Sequence, residues 1–495
     1  MPQRSDFQPK FTFDPLTYRG ALMALPQTAA WEQLDSPQRS EIYVPDMHSK
    51  ALAPDVSVVE GMRGAGKSFW TAVLADQAAR EYVSGSAKIH TLHNVIVRVG
   101  FGLDNSNELF PTAKRMTAWM DQGISPDEIW RSVLIRQGAK AVDMALPFTD
   151  SVDAAAQWVS QNPHAADDQI TEIDRQLVVN GQALMLLFDS LERLADDWAG
   201  IRERLKAALV LCLECRTRRA IRFKFFLRPD MIEEEDELWH FADSSKLLHS
   251  KATLAWRPDD FYGLIALFLA NHASLDGEFR EELTSQTHLR WQAIDGIYAL
   301  PRRMPFRDLI EALAGPFVGP KANRGNTYTW IPTHLSDAKA RLSPRSILLA
   351  LRHAAEWTET HHPEHRFALH YDGVRQGVAE ASTTRIREIK EDYPWVGPLL
   401  ESLQGTTVPL KFDDLTSNWI PGLVDASLSA ARSGQRLPPR RYDSDPIRKG
   451  SLEALVADLI ELAVLYPTED GRFNMPDIFR VGFGIKRRGG VRPPR

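Results

Sequence analysis

The residues with the clearest chemical meaning lie between positions 61 and 68, where the sequence reads GMRGAGKS. This segment matches the pattern G-x-x-x-x-G-K-[ST], in which glycines let backbone N–H groups curl around a phosphate chain and the next helix adds its N-terminal partial charge. Lys67 is expected to reach the β and γ phosphates, and Ser68 to ligate Mg²⁺. The alternative is a glycine-rich turn with an incidental lysine. The candidate nucleotide-binding residues are Gly61, Arg63, Gly64, Ala65, Gly66, Lys67, Ser68 and Phe69.

A metal-orienting acid is expected at the end of another strand. Residues 183–188 form a continuous apolar run, typical of a strand buried on both faces, and Asp189 follows directly. Asp189 is expected to join the Mg²⁺ shell, directly or through a water. Glu192 in D-S-L-E-R is the candidate general base for the attacking water, because position 190 is serine rather than a second acid. The alternatives are a helix N-cap for Asp189 and a dipole-stabilising glutamate for Glu192.

A third polar residue follows a third apolar run. Residues 223–227 predict a strand that ends at Arg228. Ligands of parallel sheets bind at the carboxyl ends of the strands, so Arg228 is expected beside the γ-phosphate, where a permanently charged donor can sense that phosphate. The open alternative is an ion pair with Asp230 or with the acidic residues 233–237.

These residues need a sheet that brings strand ends to one edge. Strand patterns at residues 56–59, 95–99, 184–188, 223–227 and 252–256 alternate with helical patterns, which predicts a parallel sheet with right-handed crossovers. Helical patterns dominate from about residue 259, and a helix and hairpin follow a linker near residue 440. The predicted fold is α/β: a P-loop NTPase parallel sheet flanked by helices, then a helical lid and a C-terminal winged-helix-like module. The predicted boundaries are an N-terminal arm at 1–50, the core at 51–258, the lid and helical region at 259–435, and the terminal module at 436–495.

Composition excludes several classes of protein. Hydrophobic residues are 43% and charged residues 25% of the 495, which excludes a mostly disordered or fibrous chain. The net charge of −6 gives no global basic field, so any nucleic-acid contact must be local. Two cysteines cannot form a disulfide scaffold, and no apolar run approaches the roughly 18 residues of a membrane helix. We therefore expect a cytoplasmic protein with no membrane contact.

Three segments, VVEGMRGAGKS, LLFDSLER and FKFFLRPDM, together resemble bacterial P-loop ATPases allied to the KAP, STAND and origin-recognition AAA+ groups. The resemblance implies ATP as the nucleotide, Mg²⁺ as the metal, and a strand-end acid and base at Asp189 and Glu192. It also implies that Arg345, in LSPRS, is a lid arginine that closes on the nucleotide; the alternative is a surface arginine. The pair of adjacent acids typical of AAA+ proteins is Asp-Ser here, which puts strong hydrolysis in question.

The resemblance also carries expectations about biology. Relatives are often switches in prokaryotic anti-phage defence or act in DNA maintenance, and an arginine from a neighbouring subunit commonly completes the site. We therefore expect an ATP-hydrolysing conformational switch with a protein partner or a homo-oligomeric state. The alternative is a nucleotide-regulated DNA-binding protein with little turnover.

The C-terminal segment is basic and contains no acid after residue 477. Its glycines and prolines would let it lie along a phosphate backbone, which makes it a candidate DNA or RNA contact. The alternative is a tail that keeps the chain soluble or docks on an acidic partner. The basic residues are Arg480, Lys486, Arg487, Arg488, Arg492 and Arg495.

Overall fold

The chain forms two compact units in the computed structural model, which describes residues 7–26, 37–103, 109–232, 237–433, 439–444 and 450–488. Residues 28–255 form one unit, called the sheet unit here, and residues 1–27 together with 256–495 form the helical unit. This division differs from the predicted separate arm at 1–50. Helix α1 (Pro15–Met23) belongs to the helical unit because Arg19, which is fully buried, donates hydrogen bonds to the carbonyls of Ala368 at 3.0 Å and Pro363 at 2.8 Å.

The sheet unit contains one five-stranded parallel sheet in the order β2-β3-β4-β1-β5. Its strands are β1 (Val58–Glu60), β2 (Val95–Phe101), β3 (Ala183–Phe188), β4 (Ile221–Leu227) and β5 (Ala252–Thr253). Its helices are α2 (Asp46–Leu52), α3 (Lys67–Ala75), α4 (Gln77–Ser86), α5 (Ala113–Asp121), α6 (Pro126–Ala141), α7 (Val152–Gln161), α8 (Pro163–Val179), α9 (Trp198–Glu214) and α10 (Ser244–Ser250). The predicted parallel sheet flanked by helices is confirmed.

An aromatic cluster at the end of β3 fixes the position of the residue that follows. The ring of Phe188 stacks on Phe225 at 4.7 Å between centroids and meets Trp130 edge-on at 5.4 Å. A Cβ on Gly100 of β2 would lie 2.8 Å from the Phe188 ring, so only glycine admits this ring. The backbone N–H of Asp189 then donates to the carbonyl of Phe101 at 3.0 Å, which ties the strand end to β2.

The helical unit agrees with the predicted dominance of helices after residue 259. Besides α1 it contains α11 (Pro258–Asn271), α12 (Glu278–Thr287), α13 (Phe306–Ala314), α14 (Thr327–Leu335), α15 (Pro344–His361), α16 (Tyr371–Asp392), α17 (Val396–Glu401), α18 (Phe412–Thr416), α19 (Pro421–Ser433), α20 (Arg440–Ser444), α21 (Leu452–Glu461) and α22 (Asp477–Arg480). Its short strands are β6 (Gln292–Ile294), β7 (Ile297–Ala299), β8 (Thr407–Val408), β9 (Tyr466–Pro467), β10 (Phe473–Asn474) and β11 (Lys486–Arg487).

The end of the chain has the helix and hairpin that the winged-helix-like prediction requires. After α21, strands β9 and β10 pair antiparallel, and the short α22 follows. Strand β11 pairs in parallel with β8, so the last described residues lie against an earlier part of the unit. Sequence patterns had not indicated the antiparallel pair β6–β7.

Candidate nucleotide-binding site

Glycines determine the backbone conformation of the loop between β1 and α3. Gly64 and Gly66 lie in the left-handed region, with φ of 79° and 105°, which residues with a Cβ rarely adopt. Gly66 is the N-cap residue of α3. At Gly61 a Cβ would come within 3.0 Å of the Lys67 side chain. Two glycines of the motif are therefore favoured by the backbone conformation of the loop, and one by the space that the Lys67 side chain occupies. Successive backbone N–H groups in such a loop can form an anion-binding concavity.

Lys67 is folded back over this loop. Its Nζ donates to the carbonyl of Gly61 at 2.9 Å and to that of Met62 at 3.2 Å. These bonds hold the ammonium group over the loop without neutralising its charge, because both acceptors are uncharged. An anion bound in the loop would therefore lie beside this ammonium group.

Asp189, which follows β3, contacts Ser68 at the start of α3. Its side chain is buried and accepts a hydrogen bond from the Ser68 hydroxyl. Burial raises the pKa of Asp189, the Ser68 bond and the charge of Lys67 lower it, and the charge of Glu192 raises it further, with burial the largest effect. The acid of β3 and the lysine of α3 thus lie close enough to act on each other's charge.

The pair of Ser68 and Asp189 fits a Mg²⁺ ion. Among the described residues, the Oδ1 atom of Asp189 is buried and has no hydrogen-bond partner. A buried carboxylate oxygen without a partner is costly, and a cation beside it would remove that cost. Mg²⁺ prefers oxygen ligands and is typically held by one or two protein groups together with phosphates and water. No cluster of three His, Cys, Asp or Glu side chains suited to a metal occurs in the part of the chain that the structure describes.

Glu192 lies beside the acid, on a short 3₁₀ turn that spans Leu191–Arg193. It is half-buried, and its charge is close enough to raise the pKa of Asp189. The turn begins after Ser190, which has a left-handed φ of 56°. This sharp change of direction brings Glu192 back toward the end of β3.

Arg228 emerges between the other two site elements, because β4 lies between β3 and β1 in the sheet. Its side chain is buried and pairs with Asp230, at 3.3 Å from Nε to Oδ1 and 3.3 Å from Nη2 to Oδ2. The ion pair that the sequence left open is therefore present. It orients the guanidinium at the strand end where the sensing role had been predicted.

Three site-supporting residues were missed by the sequence analysis. Trp70 of α3 donates its indole N–H to Nδ1 of His48 at 3.1 Å, and burial lowers the pKa of His48 to about 3, so the ring is neutral and can accept. Lys224 of β4 is fully buried and holds the backbone that leads into β1. The sequence offered two signals for these residues. Lys224 is a lysine within an apolar strand, and Phe69 and Trp70 are two aromatic residues directly after Lys67 and Ser68. Phe69 packs edge-on against Trp70 at 5.1 Å.

The predicted lid arginine has a clear environment within the helical unit. Arg345, at the start of α15, donates through Nη1 to Oε1 of Glu388 at 2.6 Å. Arg385 binds the other oxygen of Glu388 at 3.0 Å. The buried Glu388 thus joins α16 to α15 through Arg345, while Arg385 binds it from within α16. The role of Arg345 toward a nucleotide stays a prediction.

The basic C-terminal segment is partly engaged in ion pairs. Asp477 binds Nε of Arg480 at 2.7 Å and Nη1 of Arg487 at 3.2 Å, and Nε2 of His334 also lies 3.2 Å away. Arg480 and Arg487, which were predicted to contact phosphate, are therefore paired with a buried acid. Lys486 and Arg488 are exposed, whereas Arg492 and Arg495 lie outside the described residues.

Comparisons with known proteins add a weak likeness. No family model and no curated protein matches the chain. A structure of Aeropyrum pernix ORC2 with ADPNP and ADP aligns at 16% identity and a TM-score of 0.37, covering 92% of each chain. The ADP form of that protein aligns at 13% identity and a TM-score of 0.30, covering 89% of this chain and 94% of the other. At these identities and TM-scores the likeness indicates nothing about the activity of this chain.

Among the described residues, no helix is both long enough and apolar enough to cross a membrane.

Proposed function

We propose that this chain binds ATP with Mg²⁺, hydrolyses it, and uses the cycle as a conformational switch. The observation that carries the proposal is the contact between Ser68, at the start of α3, and the buried Asp189, whose Oδ1 has no hydrogen-bond partner among the described residues. The loop before Ser68 contributes left-handed glycines, and Lys67 contributes a positive charge. This combination of backbone donors, a lysine and two oxygen ligands suits a polyphosphate bound together with a divalent cation.

In this proposal each residue has a separate task. Lys67 binds the β and γ phosphates, while Ser68 and Asp189 hold the metal. When bound, Mg²⁺ neutralises part of the phosphate charge. Glu192 orients the attacking water and accepts its proton as general base. Arg228, oriented by its ion pair, stabilises the negative charge that develops during transfer.

Nucleotide binding is tested with the Lys67→Ala variant of the full chain. Removal of the ammonium group should abolish tight ATP binding, measured by titration with a fluorescent ATP analogue in the presence of Mg²⁺. Lys246→Ala is the matched control, because Lys246 is 56% exposed and pairs with Asp243. Unchanged affinity in Lys67→Ala would reject the assignment of the site.

Hydrolysis is tested with Glu192→Gln. Loss of the general base should reduce the rate of phosphate release by about 10²–10⁴-fold while ATP binding is retained. Glu203→Gln, at an exposed position of α9, is the matched control. If wild type and Glu192→Gln release phosphate at equal rates, Glu192 is not the base.

A nucleotide-regulated DNA-binding protein with little turnover is the second candidate. One observation favours it: the residue after Asp189 is Ser190, so the acid has no acidic neighbour in sequence to serve as base. Phosphate release with and without DNA separates the candidates. Turnover that Glu192→Gln abolishes supports the ATPase, whereas ATP binding without turnover in either protein supports the alternative. Sedimentation with and without ATP tests the expected oligomer.

A further inference from the structure

A β-hairpin in the helical unit presents an exposed surface that the proposed ATP cycle does not use. Strands β6 and β7 pair antiparallel, and their turn contains Asp295 and Gly296, with φ of 50° and 82°. Two successive positive φ angles at an Asp-Gly pair are typical of a tight hairpin turn of type I′. Every residue from 292 to 299 is exposed or half-exposed, so the hairpin covers little apolar core.

The hairpin is nevertheless held firmly at its second strand. The Asn271 side chain binds the backbone of Tyr298 twice: Nδ2 donates to the carbonyl at 3.0 Å, and Oδ1 accepts from the N–H at 2.8 Å. Nδ2 also donates to the carbonyl of Leu267 at 3.0 Å, which anchors the amide on α11. The guanidinium of Arg280 covers the Tyr298 ring at 3.8 Å from its centroid. The hairpin is therefore fixed to α11 and α12 while its outer residues face solvent.

Three arginines flank this hairpin at the end opposite the turn. Arg290 lies two residues before β6, and Arg302 and Arg303 lie three and four residues after β7. All three are exposed. Within the described ranges none of them forms an ion pair or hydrogen bond, in contrast to the arginines bound to Asp477. The one acid between positions 288 and 303 is Asp295, at the turn.

We propose that Arg290, Arg302 and Arg303 form a contact surface for the phosphate backbone of a nucleic acid. Because none of the three forms an ion pair within the described ranges, their positive charges are available to a polyanion. Guanidinium groups bind phosphate oxygens in a bidentate manner and are less strongly hydrated than ammonium groups. The Asn271 contacts pre-organise the surface, which reduces the entropy lost on binding. The negative charge of Asp295 at the turn repels phosphate, so the phosphate backbone contacts the opposite end of the hairpin, where the arginines lie.

The test uses the full-length chain and a fluorescein-labelled 30-base-pair DNA, with anisotropy measured between 50 and 200 mM KCl. The triple variant Arg290→Gln, Arg302→Gln, Arg303→Gln should bind at least tenfold more weakly at 100 mM KCl. The slope of log affinity against log salt should shrink by up to about 2.7, since each lost phosphate contact removes about 0.9. Equal affinity and equal slope in wild type and variant would overturn the proposal.

A matched control removes the same total charge elsewhere. Arg175, Arg352 and Arg472 each pair with an acid, namely Glu172, Glu356 and Asp470. The triple glutamine variant at these positions should change the DNA affinity by less than twofold. A loss as large as that of the hairpin variant would show a non-specific charge effect and overturn the proposal. Circular dichroism and ATP binding report whether each variant folds.

Two further arms identify the source of the phosphates and test the hairpin's rigidity. An RNA duplex and a single strand of the same sequence show which nucleic acid depends on the three arginines. The proposal is overturned if the wild-type chain binds neither the DNA duplex, the RNA duplex nor the single strand. It is also overturned if polyglutamate is the only polyanion whose binding depends on the three arginines. Asn271→Ala should weaken binding but keep the salt slope, because it loosens the hairpin and leaves the arginines in place. Unchanged affinity would refute the role of Asn271.

Discussion

The buried Lys224 provides the sharpest test of the sheet unit's energetics. Its side chain is fully buried in β4, and its Nζ donates to the carbonyls of Ala51 at 2.7 Å, Ala53 at 2.9 Å and Val56 at 2.7 Å. Burial lowers the pKa of Lys224 to about 7 from the ordinary value of 10.5. The three carbonyls belong to the segment that leads into β1, so this lysine holds the backbone just before the strand that precedes the glycine loop.

The lowered pKa makes the stability contribution of Lys224 depend on pH. A fall from 10.5 to about 7 means that the folded chain disfavours the charged form by about 5 kcal/mol. Between pH 7 and 10.5 the unfolded chain binds the proton and the folded chain does not, so stability rises with pH, by up to about 1.4 kcal/mol per unit. Below pH 7 both states are protonated and the effect is constant.

Lys224→Met removes the titrating amine together with its hydrogen bonds to the three carbonyls. The buried carbonyls lose their donor, at a cost of about 1–3 kcal/mol for each group left without a partner, while the desolvation penalty of the charge disappears. We therefore expect the free energy of unfolding of wild type, relative to that of the variant, to be highest at high pH. The difference should grow by about 2 kcal/mol between pH 7 and pH 9.

Hydrogen exchange of peptides covering β1 and β4 measures this difference within the sheet unit. Wild type and variant are compared at equal pH, so that intrinsic exchange rates and shared titrating groups cancel. Lys246→Met, at an exposed position, should show no such pH dependence. A difference between wild type and Lys224→Met that stays constant from pH 7 to 9 would refute the reasoning.

Three other substitutions test the packing and the ion pairs. Gly100→Ala should lower stability by about 1–3 kcal/mol and slow phosphate release, because its Cβ would lie 2.8 Å from the Phe188 ring that precedes the acid; an unchanged melting temperature would contradict this. Trp70→Phe removes the indole N–H that Nδ1 of the buried His48 accepts, and the loss of this bond should lower the free energy of unfolding by about 1–3 kcal/mol in urea denaturation; identical midpoints would contradict this. Asp477→Asn removes the charge that binds two arginines, and should destabilise the helical unit by about 3 kcal/mol in thermal unfolding, a loss that an unchanged transition would disprove.

The sheet and its acid were predictable because their signals are local. The run at residues 183–188 is apolar throughout, and the strand covers the same residues before Asp189. The glycine positions of the loop follow from the motif, since two of them need a left-handed backbone. The strand order was not predictable in the same way, because it depends on which strands pair in space. That order brings Arg228 between the loop and the acid.

Features that depend on tertiary contacts escaped the sequence analysis. The β6–β7 hairpin has strands of only three residues, and its one clear signal was the Asp-Gly pair at its turn. Arg480 and Arg487 belong to a basic segment, but their pairing with Asp477 follows from the folding of α22 and β11. The three-residue spacing of Asp477 and Arg480 was the available signal, since such spacing favours an ion pair on a helix.

Lys67 and Lys224 of the sheet unit show how burial decides what an ammonium group can do. Lys67 donates to two backbone carbonyls and Lys224 to three, so both side chains bind uncharged acceptors of the backbone. At Lys224 the charge is enclosed, and the result is the lowered pKa. At Lys67 the same kind of bond holds the ammonium over a glycine loop, where an anion can approach. The two lysines therefore differ in whether a ligand can reach them. Lys224 is enclosed and supports the strand before the loop, whereas Lys67 lies where the phosphates of the proposed nucleotide would bind.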